Sequence, residues 1–99
     1  MTTQNRKITV PSTRYCDTIN ERANSLYNEV RDEEALREYD KAISEFPNYA
    51  GFHYEKGRML SKLWRHEEAL DELDKAIHLD PESAYLHEGK AQILDSLKR

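Results

Sequence analysis

Glu33-Glu34-Ala35-Leu36-Arg37-Glu38-Tyr39-Asp40-Lys41-Ala42-Ile43-Ser44-Glu45-Phe46-Pro47 returns 34 residues later as Glu67-Glu68-Ala69-Leu70-Asp71-Glu72-Leu73-Asp74-Lys75-Ala76-Ile77-His78-Leu79-Asp80-Pro81, with ten of the fifteen pairs identical. The same offset pairs Ala50 with Ala84, His53 with His87, Lys56 with Lys90, Leu60 with Leu94 and Leu63 with Leu97, and sets Gly57 opposite Ala91. Run backward, it finds Ile19, Ala23 and Leu26 ahead of His53, Gly57 and Leu60, a fainter first copy. Self-similarity at a fixed period of this size is the signature of a repeat architecture.

Each copy holds two amphipathic helices. Phe52, Lys56, Met59, Leu60 and Leu63 recur at steps of three and four, and so do Ala69, Leu70, Leu73, Ala76 and Ile77 after a break at Arg65-His66. The pattern predicts five helices, over 14–29, 32–45, 48–63, 66–79 and 82–97. Pro47 and Pro81 are expected to close one copy and to open the next, because proline disfavours helix at the residue before it and suits a first helical turn. Pro11-Ser12-Thr13 supplies hydroxyl caps for the first helix, and residues 1–13 read as a disordered or loosely docked polar arm. The helical domain then spans 14–99: a first repeat over 16–49, a second over 50–83, and a capping helix or partial third repeat over 84–99. Composition agrees: 34% of the 99 residues are charged, against three Gly and three Pro, a balance that suits helices and not strands.

From Cys16 to Arg99 the chain resembles the tetratricopeptide repeat family, most clearly in Phe52-His53-Tyr54-Glu55-Lys56-Gly57, Glu67-Glu68-Ala69-Leu70 and Asp74-Lys75-Ala76-Ile77, ending on Asp80-Pro81. The resemblance implies an all-α fold, a right-handed α-solenoid of about five antiparallel helices, with the first helix of each pair lining a concave face. Gly57, Ala69, Ala76, Ala23, Ala35 and Ala42 fall where helices must approach closely, and Leu60, Leu70 and Leu73 where gaps must be filled. Two departures stand out. Val30 and Trp64 occupy the turn position where the family has glycine, so the turn is expected to be built differently, since a positive φ is costly for a bulky residue. His53 and His87 replace large apolar residues, and Arg22, Lys56 and Lys90 replace leucine, with aliphatic stems packing and charged ends in water.

Little else suggests chemistry. A formal charge of −4 leaves no broad cationic surface, so no nucleic acid and no membrane is expected as a partner. A single cysteine allows no internal disulfide, and with no signal-like or 18-residue apolar run a cytoplasmic setting is expected. His53, His66, His78 and His87 lack the helical spacing that metal binding needs. Gly89-Lys90-Ala91 is no phosphate loop, and Glu33-Glu34 and Glu67-Glu68 suit the positive end of a helix. No nucleophile with a base and an orienting group is in view. The expectation is a protein that is not an enzyme and uses no metal and no cofactor.

What the resemblance implies is a non-catalytic protein–protein interaction module that takes a peptide or partner protein on its concave face. Asn24, Tyr27, Tyr54, Arg58, Tyr85 and Gln92 are the candidate partner-binding residues, three tyrosines about a repeat apart with an arginine among them. Co-chaperone members grip an acidic tail with lysines, asparagines and an arginine. The corresponding places here carry Asn20, Asn24, Glu55, Tyr85 and Gly89, of which only Asn24 matches, so no such clamp is expected. Other readings stay open: a dedicated chaperone of a single client, a self-associating structural module forming a weak homo-oligomer through Trp64, or an accessory domain of a larger assembly.

Overall fold

A computed structural model describes residues 10–98. It contains five helices: α1 (Thr13–Asn28), α2 (Asp32–Glu45), α3 (Ala50–Lys62), α4 (His66–Leu79) and α5 (Ala84–Leu97). α2 and α4 fall where the periodicity places them, while α3 and α5 start two residues later than expected. Most of the N-terminal arm, residues 1–9, lies outside the described residues. At its end Pro11 is buried, and Ser12 caps α1 by accepting the Tyr15 N–H at 3.0 Å. Ser83 caps α5 in the same way through the Leu86 N–H.

The small residues set the spacing of the helices. Ala23, Ala35, Ala42, Ala69 and Ala76 are fully buried. A Cβ on Gly57 would run into Leu73 and stand 3.2 Å from the Ala69 carbonyl oxygen, so α3 and α4 meet nearly backbone to backbone there. α3 is the central helix, with Phe52, His53, Tyr54, Gly57, Met59 and Leu60 buried; α5 buries only Leu86, Gly89 and Ile93. An aromatic cluster ties the first pair to the second: Tyr15 of α1 and Tyr49 meet Phe52 at 5.9 and 5.0 Å, and Phe46 meets Tyr15 at 5.2 Å. α1, α3 and α5 thus share one layer, and α2 and α4 the other.

The turns inside the pairs correct the expectation drawn from Val30 and Trp64. Their φ angles are +61° and +63°, the left-handed conformation that glycine would adopt. The turn is therefore the one a glycine makes, without the glycine. Paired backbone bonds hold it. The Val30 N–H donates to the Tyr27 carbonyl and the Arg31 N–H to the Leu26 carbonyl, at 3.0 and 2.9 Å; Trp64 to Ser61 and Arg65 to Leu60 repeat both distances. These are the two closing bonds of a Schellman C-terminus, each contributing about 1 kcal/mol net, which offsets a left-handed backbone costing roughly 1–2 kcal/mol. Both side chains project into solvent, 81% exposed, so neither bulk meets an obstacle.

The prolines need a smaller correction. Pro47 and Pro81 follow the caps Phe46 and Asp80, whose backbones leave the helix, but the next helices begin only at Ala50 and Ala84. The prolines stop helices and do not start them.

Candidate functional site

The layer of first helices carries the predicted residues. Tyr54 of α3 is buried, its ring seated where a Cβ on Gly89 would come within 2.6 Å. Gly89 is thus the slot that lets α5 close on α3. Tyr85, 58% exposed, lies with its ring 4.6 Å from that of Tyr54, and the Arg58 guanidinium sits 5.8 Å from the other ring's centre. Burial, reinforced by Tyr85, pushes the Tyr54 phenol up to about 12, so it stays a neutral donor. On α1, Tyr27 is half-buried and takes the Lys62 ammonium over its ring at 5.3 Å.

Two openings border this layer. One, of about 210 Å³ between α3 and α5, is lined by Tyr54, Arg58, Lys62 and Gln92 among others. The larger, about 540 Å³ around the α3 and α5 N-termini, is lined by Tyr49, Gly51, Tyr54, Glu55 and Tyr85 among others. Tyr54 lines both, so the two openings adjoin at its ring and together form a strip. Its charge is mixed: burial raises the Glu55 carboxyl above its ordinary range, with Arg58 and Lys62 pulling the other way. Arg58 lies 3.7 Å from it.

The structure therefore gathers Tyr54, Arg58, Tyr85 and Gln92, and joins Tyr27 to them through Lys62. Asn24 stands exposed on α1 and lines neither opening. Trp64 is elsewhere, at the α3–α4 turn, edge-on to His66 at 5.3 Å. Asn20 plays a part the sequence did not suggest, since its Oδ1 accepts the hydroxyl of buried Tyr39 at 2.9 Å and links α1 to α2.

Between the layers runs an ionic system that also corrects the picture of lysine ends in water. His53 Nδ1 is 2.9 Å from Glu72 Oε1, both residues buried. With the carboxylate able only to accept, Nδ1 carries the proton. Lys56 Nζ lies 2.7 Å from Asp40 and 3.6 Å from Glu72, and its side chain is only 19% exposed. Burial alone would raise the Glu72 carboxyl; the His53 hydrogen bond and the charges of Lys56 and Lys75 outweigh it and bring it down to about 2. The arginines at the turns pair with the acidic first turns of the second helices, Arg31 with Glu34 and Arg65 with both Glu68 and Glu33. Those carboxylates serve helix starts. Among the described residues no group of three His, Cys, Asp or Glu could hold a metal ion, and no helix is long and apolar enough to cross a membrane.

Two helix-turn-helix pairs and a further first helix, with no strand among the described residues, define an all-α helical-repeat protein. A family model for the tetratricopeptide repeat matches residues 33–93, well over half of the chain, and the chain belongs to that family. Repeats of this family generally mediate protein–protein interaction and are typically non-catalytic. The match begins at the second residue of α2, leaving out α1, the helix in which the 34-residue period is faintest. No curated protein matched the chain.

Proposed function

We propose that the α1, α3 and α5 layer, the concave face of the repeat stack, binds an extended segment of a partner protein, with Tyr27, Tyr54, Arg58, Tyr85 and Gln92 along the strip and Asn24 at its α1 edge. The observation that carries this reading is that Tyr54, Arg58 and Gln92 border one opening while Tyr85 packs at a tilt against Tyr54 with most of its surface in solvent. Tyrosine and arginine give large contact area with little conformational entropy to lose, as binding hot spots do. Arg58 and Lys62 favour a segment with carboxylates, whereas Glu55 works against a dense acidic tail, so a mixed sequence with an aromatic or apolar anchor suits the strip. One cysteine and no disulfide fit a cytoplasmic place of work.

A photo-cross-linking amino acid at position 85, compared with one at exposed Asp71 on α4, tests the surface in cells. The expected result is a discrete cross-linked partner from position 85 that disappears when Arg58→Ala is added. Equal products from both positions would refute the assignment.

A further inference from the structure

The larger opening on the strip has the chain's own N-terminal segment at its edge. Val10, 64% exposed, lines it together with Tyr49, Glu55, Asp80 and Tyr85, and the next residue, Pro11, is buried. The chain is thus held at Pro11, and the residues that lead into Val10 start from the wall of a space of about 540 Å³. Such a tether matters energetically. A short link gives its end an effective concentration on the order of millimolar, so a contact too weak to hold a free peptide can hold a tethered one.

The two openings that adjoin at Tyr54 differ in charge. The one between α3 and α5 is lined by Arg58 and Lys62 and by no carboxylate; the larger is lined by Glu55 and Asp80 and, among the described residues, by no cation. Asp80 is exposed. Glu55 is half-buried, and burial holds its carboxyl above the ordinary range in spite of Arg58 and Lys62, so a further cation there would be favourable. The apolar part of the wall includes Leu79 and Tyr49, whose ring lies so close over Gly51 that a Cβ there would come within 2.5 Å of it. Leading into Val10 is Arg6-Lys7-Ile8-Thr9, two cations and a branched aliphatic residue, the complement of that wall. Ile8 stands two residues from Val10 and Arg6 four, at most roughly 7 and 14 Å of extended chain, which keeps all three next to the walls that Val10 shares.

We propose that Arg6, Lys7 and Ile8 dock in this opening of their own chain, the cations against Glu55 and Asp80 and Ile8 against Tyr49 and Leu79, so that the N-terminal segment covers the acidic end of the strip. The Arg58 and Lys62 end stays open. A partner segment on the strip then has to enter from that end or displace the arm beside Tyr85, and the strip prefers a partner whose carboxylates lead. The docking itself lies within one chain and does not depend on the partner-binding reading.

The test uses the full chain alone, at low salt and low protein concentration, by nuclear magnetic resonance. Backbone order parameters of residues 6–8 should lie above roughly 0.6, the range of ordered backbone. Reversing the arm's charge with Arg6→Glu and Lys7→Glu together should lower the ratio of docked to free arm by about tenfold or more, drop those order parameters, and shift the amides of Gly51, Glu55, Ser83 and Tyr85, while far-UV circular dichroism stays unchanged. Asp80→Lys alone should weaken docking in the same way; added to the reversed arm it should restore it. Raising salt to about 0.5 M should release the wild-type arm, since exposed charges are then screened. The idea is overturned by low order at residues 6–8 in the wild type, by indifference to charge reversal on both sides, or by shifts that fall on α2 and α4 instead. It is equally overturned if arm order rises with protein concentration and sedimentation shows dimers, which would mean exchange between copies. The sample holds no partner, so the result stands whether or not cross-linking from position 85 finds one.

Discussion

Replacing Val30 by glycine should make the protein more stable, although it deletes a hydrophobic side chain. Val30 holds φ at +61°, a conformation that costs an L-residue roughly 1–2 kcal/mol and falls hardest on a β-branched one. The side chain returns almost nothing, being 81% exposed. Glycine removes the strain and keeps the Schellman bonds from the Val30 and Arg31 N–H groups, which are backbone bonds. Against this, glycine gives the unfolded chain more freedom, a loss of about 0.4–1 kcal/mol. The balance is a gain of about 1 kcal/mol, which in a domain of about 100 residues raises Tm by roughly 4–8 °C.

The assay is thermal and urea unfolding followed by far-UV circular dichroism, with the urea slope unchanged so that midpoints compare directly. Val30→Asn is the control, since asparagine tolerates the left-handed region without glycine's unfolded-state freedom, and it should also gain. Trp64→Gly should gain less than Val30→Gly because it gives up the edge-on contact with His66. If Val30→Gly and Val30→Asn both leave the midpoint unchanged or lower it, the strain is not there and the account of the turn is wrong.

Glu72 makes stability depend on acid. Its carboxyl titrates at about 2 in the fold against an ordinary 4.5, so its ionised form stabilises the fold above pH 4.5, and that contribution, on the order of 3 kcal/mol, is lost as pH falls from 4.5 toward 2. Urea midpoints measured across that window should fall for the wild type and fall distinctly less for Glu72→Gln; parallel curves would remove the buried network as the cause. Tyr54 and Tyr85 should part company: Tyr54→Ala empties the slot against Gly89 and should cost about 3 kcal/mol, while Tyr85→Ala, on an exposed ring, should stay within about 0.5 kcal/mol. Equal effects on the thermal midpoint would contradict the packing described.

Helix number and register were legible because they rest on spacing. Ala35, Leu36, Tyr39 and Ala42 face the core in one copy, and Ala69, Leu73 and Ala76 in the next, so one period fixes both. The tyrosine strip was legible in part: a spacing of about one repeat placed Tyr54 and Tyr85 on one layer but could not say that Gly89 admits the Tyr54 ring and turns a candidate contact into a packed one. Composition misled at Val30 and Trp64. Side-chain preference argued against a left-handed turn, yet the conformation is decided by two backbone bonds that any residue can make, with both side chains free to project into solvent.

The ionic system escaped a reading made at one offset. Aligning the chain with itself at 34 residues matches Lys56 to Lys90 and Asp40 to Asp74, like with like, and says nothing about which charge meets which. The complementary signal lies at 16 residues, the step from one layer to the other: Arg22 to Glu38, Asp40 to Lys56, Lys56 to Glu72, Asp74 to Lys90. Four opposite-sign pairs at one offset are visible in the sequence once a helix pair is assumed to repeat, because each second helix must then contact a first helix on either side. Charge at that offset also gives lysine partners at these positions, Asp40 and Glu72 for Lys56 and Asp74 for Lys90. A leucine would fill the same space, but buried Glu72 would lose the Lys56 charge and keep only His53 and Lys75, and losing a partner at a buried charge costs more than the pair's own net worth. The cation and its two carboxylates are therefore coupled, and this coupling adds to the apolar contacts in restricting which helix can lie against α3.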